Sequence, residues 1–256
     1  MPTYRLDVAY LGTHFHGYAR QRDVRTVQGE LEDALFKMTG TVETQVAGRT
    51  DAGVHASGQV VSFSVEGALD TERLGRSLNR QLSPEIAVSG VSEVGADFDA
   101  RFSATGRRYR YVVLNRDAPD PFRAATTWHV PMGLDVQSMR SACRHLVGEH
   151  DFASLCRRAG GTSTVRTVLW AEWGRVDDEV ELSIAASAFC HQMVRSIVAL
   201  AVEVGRGRVS PDAVPAILEA TDRAAAKGAA PPHGLVLVEV GYPGEPLTTP
   251  GWIETP

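Results

Sequence analysis

Residues 47–59 read Ala47-Gly48-Arg49-Thr50-Asp51-Ala52-Gly53-Val54-His55-Ala56-Ser57-Gly58-Gln59. The stretch carries three glycines, which permit backbone shapes that other residues resist. It also gathers Arg49, Thr50, Asp51 and His55, so ionisable and hydrogen-bonding groups crowd one short connection between two strand candidates. A loop this rich in charge and glycine is more often functional than a plain connector.

Working outward, the hydrophobic spacing predicts mixed strands and helices. Residues 3–10 (TYRLDVAY) alternate and read as a strand, and 58–65 (GQVVSFSV) as another. Thr26 is a fitting N-cap for a helix from Val27 to Met38, with Val27, Leu31, Ala34, Leu35 and Met38 on one face. Thr71 to Leu82 reads as a helix and Ile86 to Val94 as a strand. In the second half, Arg108 to Leu114, Thr127 to Val130, Thr164 to Trp173 and Val180 to Ala186 read as strands. Val136 to Val147, the strongly apolar Cys190 to Val204, and Pro211 to Ala220 read as helices, and Leu235 to Val240 as a last strand.

Strict strand–helix alternation is missing, which predicts an α+β fold with antiparallel or mixed sheets flanked by helices. The expectation is two similar halves, 1–103 and 104–256, with an active-site cleft between them and the switch near residues 99–105.

The chain has 256 residues, 43% hydrophobic and 22% charged, which suits a real core. No apolar run approaches the roughly 20 residues that span a bilayer. No basic-then-apolar leader precedes the first strand, so a cytoplasmic location is expected. The net charge is −5, but it is unevenly spread. Lys and Arg against Asp and Glu run six to six over 1–50, three to eight over 51–99, eleven to five over 100–170, and six to twelve over 171–256. All eleven cations of 100–170 are arginines, which fork onto phosphate and stack on bases. A local arginine face can hold RNA on an acidic protein; the competing reading is a solvated face laced with carboxylates.

Cys143, Cys156 and Cys190 are odd in number and none lies in a Cys-x-x-Cys pair, which argues against a disulfide framework and a thiolate zinc site. Small buried cysteines are the expectation, ahead of a nucleophile at Cys190 beside His191. His14 and His16, with Asp51 and His55, raise a metal-dependent hydrolase as an alternative. No His-Glu-x-x-His or comparable ligand spacing supports it, and no metal is expected.

Gly48-Arg49-Thr50-Asp51-Ala52-Gly53-Val54-His55 resembles the signature of the tRNA pseudouridine synthase A family. The likeness extends along the chain, through Val27-Gln28, Ala100-Arg101-Phe102-Ser103-Ala104-Thr105, Arg107-Arg108-Tyr109-Arg110-Tyr111, Gly148-Glu149-His150-Asp151-Phe152 and Met193-Val194-Arg195. It departs at Tyr10-Leu11-Gly12, where the family has Tyr-Asp-Gly, and at Gly17-Tyr18-Ala19, where the family has Gly-Trp-Gln. It departs again at Ser187, where the family has Asn.

The resemblance implies a homodimeric enzyme that isomerises uridine to pseudouridine at positions 38–40 in the anticodon stem-loop of tRNA, without a cofactor. It makes Asp51 the catalytic carboxylate, acting on the base, on the sugar carbon or on a sugar proton. It makes Tyr109 the residue packed on the uracil and a candidate base for the C5 proton. Strand spacing alone leaves Tyr109 and Tyr111 equivalent. It places Arg195 in the pocket, where a carboxylate kept ionised away from water needs a cation. Arg49 is expected to fill the gap left by a flipped uridine, and Arg107, Arg108 and Arg110 to line the groove. Arg101, Arg157 and Arg158 are further candidate phosphate contacts. A catalytically silent RNA-binding module on the same fold is the remaining alternative.

Overall fold

The computed structural model describes residues 1–157, 163–226 and 228–252. The chain forms two compact units, one of residues 1–105 with 236–246, the other of 106–235 with 247–256. The strand after residue 235 thus returns to the first unit, a long-range closure that local periodicity does not encode.

In the first unit, β1 (Thr3–Tyr10) is followed by α1 (Val27–Thr39), β2 (Gln45–Val46), β3 (His55–Ser64), α2 (Thr71–Leu82) and β4 (Ile86–Val94). β1 lies between β3 and β4, antiparallel to both. Its Tyr4, Leu6, Val8 and Tyr10 are buried while Arg5, Asp7 and Ala9 are less so, the period of two that the sequence displays. α1 is capped by Thr26, whose hydroxyl accepts from the Gly29 amide, and it buries Val27, Leu31, Ala34 and Leu35. α2 is capped by Asp70, packs against β4, and buries Leu74, Leu78 and Leu82.

The second unit runs through β5 (Gly106–Leu114), β6 (Trp128–His129), α3 (Val136–Arg144), β7 (Gly148–Asp151), β8 (Val165–Val176), β9 (Glu179–Ala186), α4 (Met193–Gly205) and α5 (Val214–Glu219). Its strands run in the order β5, β9, β8, β7, all antiparallel, with β6 parallel on β5. Trp173, Tyr111, Phe152, Leu182 and Ile184 are fully buried here. β10 (Leu235–Gly241) pairs in parallel with the start of β3. Gly58 permits that approach, because a Cβ there would stand 2.2 Å from the Val238 carbonyl oxygen.

The mixed α+β class agrees with the expectation, and several ends move. β3 begins at His55, three residues before the periodic pattern. α3 stops at Arg144, where single-turn bonds and Gly148 at φ +103° end it. α4 begins at Met193, not Cys190, because Gln192 is left-handed at φ 64° and Cys190 turns back through the Met193 amide. The expected helix over 211–220 is a 3-10 turn, Pro211–Ala213, followed by α5.

Candidate active site

The Asp51 loop is fastened from two sides within the first unit. From below, Gln59, fully buried on β3, donates from its amide to the Gly48 carbonyl at 2.7 Å and accepts from the Gly48 amide at 3.3 Å. The same Gln59 amide donates to the Tyr10 hydroxyl at 3.2 Å, and Tyr10 and Thr50 share a hydroxyl hydrogen bond of 2.8 Å. Burial pushes the Tyr10 hydroxyl up to about 12, with Thr50 and Gln59 opposing, so it stays a neutral link at working pH.

From the side, the segment after β1 presses on the loop. The Gly12 amide donates to His55 Nδ1 at 2.8 Å, and a Cβ on Gly12 would stand 2.0 Å from the Val54 carbonyl oxygen. The Tyr18 amide donates to the Thr50 carbonyl at 3.0 Å, and Gly17 there holds φ +95°. The loop itself turns through a bond from the Val54 amide to the Asp51 carbonyl at 3.1 Å. Gly53, third in that turn, has φ +78° while Ala52 does not have positive φ, the pattern of a type II turn that favours glycine at this place. Asp51 is half-buried and Arg49 is exposed.

His14 Nδ1 is 2.7 Å from Glu85, and His55 Nδ1 accepts from a backbone amide. Among the described residues no group of three or more His, Cys, Asp or Glu is arranged to hold a metal.

In the second unit, β5 presents Tyr109 and Tyr111 on one face, opposite Ile184 and Leu182 of β9. The structure separates the two tyrosines that spacing leaves equal. Tyr111 is 0% exposed, its hydroxyl donates to the Pro231 carbonyl at 2.8 Å, and Gly234 lies against its ring. Burial pushes its hydroxyl far above the ordinary range, which the charge of Arg195 only partly opposes. Tyr111 is therefore a core residue. Tyr109, 8% exposed, instead meets Phe189 edge to face with ring centres 5.1 Å apart.

Arg195 is half-buried on the mainly apolar α4. Its Nε donates to the Ala230 carbonyl at 2.7 Å, and its own carbonyl accepts from the Ala230 amide at 2.9 Å. Arg107 donates to the Ser187 carbonyl at 3.1 Å. Arg110 stands 3.5 Å from Glu181, whose carboxyl is raised by burial and held back by Arg110 and Arg108. Arg101 lies over the Phe102 ring at 5.2 Å, and Arg157 is exposed, while Arg158 lies outside the described residues.

The charge map corrects the reading of 100–170 as a segment short of acids. Arg110, Arg116, Arg123 and Arg140 all pair with carboxylates of the next segment, Glu181, Asp178, Glu179 and Glu172. The strands fold back on each other, so a linear charge excess is partly cancelled in space.

The supporting residues Tyr10, Gln59, Gly12 and Gly17 are absent from the sequence-based site. Gln59 carries one local signal, a polar residue on a buried position of a strand, which demands partners.

A family model for tRNA pseudouridine synthase matches residues 8–103 and 142–243. The chain belongs to the tRNA pseudouridine synthase family. The tRNA pseudouridine synthase A of Frankia casuarinae is 45% identical over 248 residues, covering 94% of this chain and 90% of its own length. That of Methylobacterium nodulans is 40% identical, covering 98% of this chain and all (100%) of its own length. That of Bacillus subtilis is 41% identical, covering 92% and 97%. As a tRNA pseudouridine synthase, the chain is an isomerase that converts uridine to pseudouridine.

Proposed function

We propose that this chain isomerises uridine at positions 38–40 in the anticodon stem-loop of tRNA, with Asp51 as the catalytic carboxylate. The observation that carries the reading is Asp51 itself. It is the only carboxylate in a loop whose neighbours Gly48, Thr50 and Val54 are each fixed by buried or backbone hydrogen bonds. Such fixing is what a reacting group held to a fraction of an ångström needs.

The isomerisation breaks the bond from ribose to uracil N1, turns the freed uracil, and joins ribose to C5, whose proton then leaves. Neither electrons nor groups are exchanged with a second reactant, so the chemistry calls for no redox or group-carrying cofactor. A carboxylate can serve as nucleophile or base in it. In this proposal Arg195 supplies the positive charge that keeps Asp51 ionised, and Tyr109 stacks on the uracil and receives the C5 proton. Arg49, exposed on the same loop as Asp51, occupies the gap that the flipped uridine leaves. Arg107, Arg108 and Arg110 contact the RNA backbone from β5. Action as a homodimer, binding of RNA and a cytoplasmic site belong to the same proposal, supported by the family resemblance. No helix among the described residues is long and apolar enough to cross a membrane.

The test is Asp51→Asn, assayed by release of the C5 hydrogen of uracil from tRNA. The amide is nearly isosteric and has neither basicity nor nucleophilicity. Turnover is expected to vanish while folding and tRNA affinity persist. Activity within about tenfold of wild type removes Asp51 from the mechanism, since a positioned proton-transfer group alone contributes about 10²–10⁴-fold. Mapping the product in unmodified tRNA tests the positions.

A further inference from the structure

A turn near the end of the first unit's main segment holds an aromatic ring out in solvent. Asp99 organises it. Its carboxylate accepts from the amides of Arg101 and Phe102 at 2.7 and 2.9 Å, and its carbonyl accepts from the Ser103 amide at 2.9 Å. The Ser103 hydroxyl accepts in return from the Asp99 amide at 3.1 Å. Ala100 is fully buried and anchors the turn. Its amide donates to the Ser62 hydroxyl of β3 at 2.9 Å, and its carbonyl accepts from the Tyr242 hydroxyl at 2.8 Å. The backbone at Phe102 is therefore fixed, and Phe102 is 78% exposed.

A lone exposed apolar side chain is ordinary. Phe102 differs in what lies beside it. The Arg101 guanidinium stands over its ring, 5.2 Å from the centre, within cation–π range. Both residues are exposed, so a flat apolar face and a positive charge are offered side by side. Phe122, 97% exposed, makes the contrast. Its neighbour Arg123 is held by Asp120, Asp178 and Glu179, so carboxylates crowd that surface. The Asp99 carboxylate is instead tied into its own turn by two amides.

We propose, resting on the reading that this chain acts on tRNA, that Phe102 is a stacking platform for one unpaired base of the tRNA, with Arg101 on the adjoining phosphate. An aromatic side chain can stack on any base, and a planar guanidinium bonds phosphate in a fork. Paired bases already cover each other's faces, so the occupant is a base of a loop or an end and not of a stem. Ser62, which anchors the turn, lies seven residues along β3 from His55, roughly 23 Å at strand spacing. The platform thus grips the RNA away from the reacting uridine and acts on affinity, not on the chemical step.

Binding of unmodified tRNA across a salt series tests it. Phe102→Ala should bind about 5- to 150-fold more weakly than wild type, the loss of one base stacked on an aromatic. The slope of log affinity against log salt should not change, because no charge is removed. Arg101→Ala should flatten that slope by about one contact. Phe102→Trp should bind like wild type, and tRNA should quench its fluorescence beyond the change seen in the four native tryptophans. In steady-state kinetics the Phe102→Ala loss should fall on the KM for tRNA and not on kcat. Phe102→Ala affinity within about twofold of wild type overturns the platform, since a stacked base is worth more than that. So does a Phe102→Trp variant as weak as Phe102→Ala, because any aromatic ring should serve. The two readings fail separately. Wild type that binds tRNA but forms no pseudouridine at 38–40 sinks the proposed function, and the affinities still judge the platform. Wild type that forms it while Phe102→Ala binds as tightly sinks the platform alone.

Discussion

Arg195 and Ala230 hold each other twice. The amide of Ala230 donates to the carbonyl of Arg195 at 2.9 Å, and the guanidinium Nε of Arg195 donates back to the carbonyl of Ala230 at 2.7 Å. One bond fixes a loop to α4, and the other fixes the direction in which the guanidinium leaves the helix. Ala230 is 1% exposed, so its carbonyl has no ready replacement donor in solvent.

Arg195→Ala should therefore cost stability before chemistry is considered, about 1–3 kcal/mol for an orphaned buried carbonyl. If Arg195 is also the counter-charge of Asp51, the loss rises to roughly 3–5 kcal/mol, and Asp51→Ala in the same chain should restore part of it. Denaturant unfolding of the two single variants and the double variant decides. Strictly additive losses mean that the two side chains do not interact.

Gln59→Leu keeps the volume and removes every bond from this side chain to Gly48 and Tyr10. Each buried group left without a partner costs about 1–3 kcal/mol. Because the deleted bonds hold the backbone just before Arg49 and Asp51, kcat should fall while the KM for tRNA stays near wild type. Steady-state kinetics on tRNA measure both. A rise in KM with kcat intact would make Gln59 a determinant of RNA binding instead.

Two glycine substitutions separate close approach from backbone conformation. Gly40 has φ +73° and ψ −161°, a region essentially confined to glycine, with open space around a Cβ, so Gly40→Ala should cost only backbone strain, about 1–3 kcal/mol. Gly12→Ala would drive a methyl to 2.0 Å from the Val54 oxygen, beside the Asp51 loop. It should lose more stability than Gly40→Ala, and activity as well. Thermal melts that rank the pair the other way would mean that the segment after β1 yields easily.

Much of the fold was legible because its signals are local. The alternation of Thr3–Tyr10 and the cap Thr26 delimit β1 and α1 with little help from distant residues. The glycine-rich Asp51 loop was legible for the same reason. What stayed hidden is long-range. Nothing near Gln59 announces Gly48 and Tyr10. The left-handed Gln192 shortens α4 at a residue whose type gives no warning. Tyr109 and Tyr111 are both buried, and it is distant residues, the Pro231 carbonyl and Gly234, that lock the second into the core.

Charge was the most misleading linear signal, and it yields the sharpest test of RNA binding. Each phosphate contact releases condensed counterions, so log affinity should fall with log salt at a slope of about −0.7 to −0.9 per contact. Arginines of 100–170 should not contribute equally. Arg116 and Arg123 are engaged by Asp178 at 3.3 and 2.7 Å, and Arg123 also by Asp120 and Glu179. Arg101 and Arg157 are exposed. Replacing Arg101 and Arg157 together by Ala should weaken tRNA binding and flatten the slope by about two contacts. The rate at saturating tRNA should stay near wild type. Arg116→Ala should destabilise the 115–127 loop and leave the slope unchanged. Arg49→Ala should lower the saturated rate, because it acts where the uridine leaves the stack. Binding across a salt series, paired with single-turnover rates, reads all four variants. An affinity indifferent to salt removes the electrostatic reading of this face. A slope that falls as much in Arg116→Ala as in the double variant would mean that the carboxylate clusters open to the RNA.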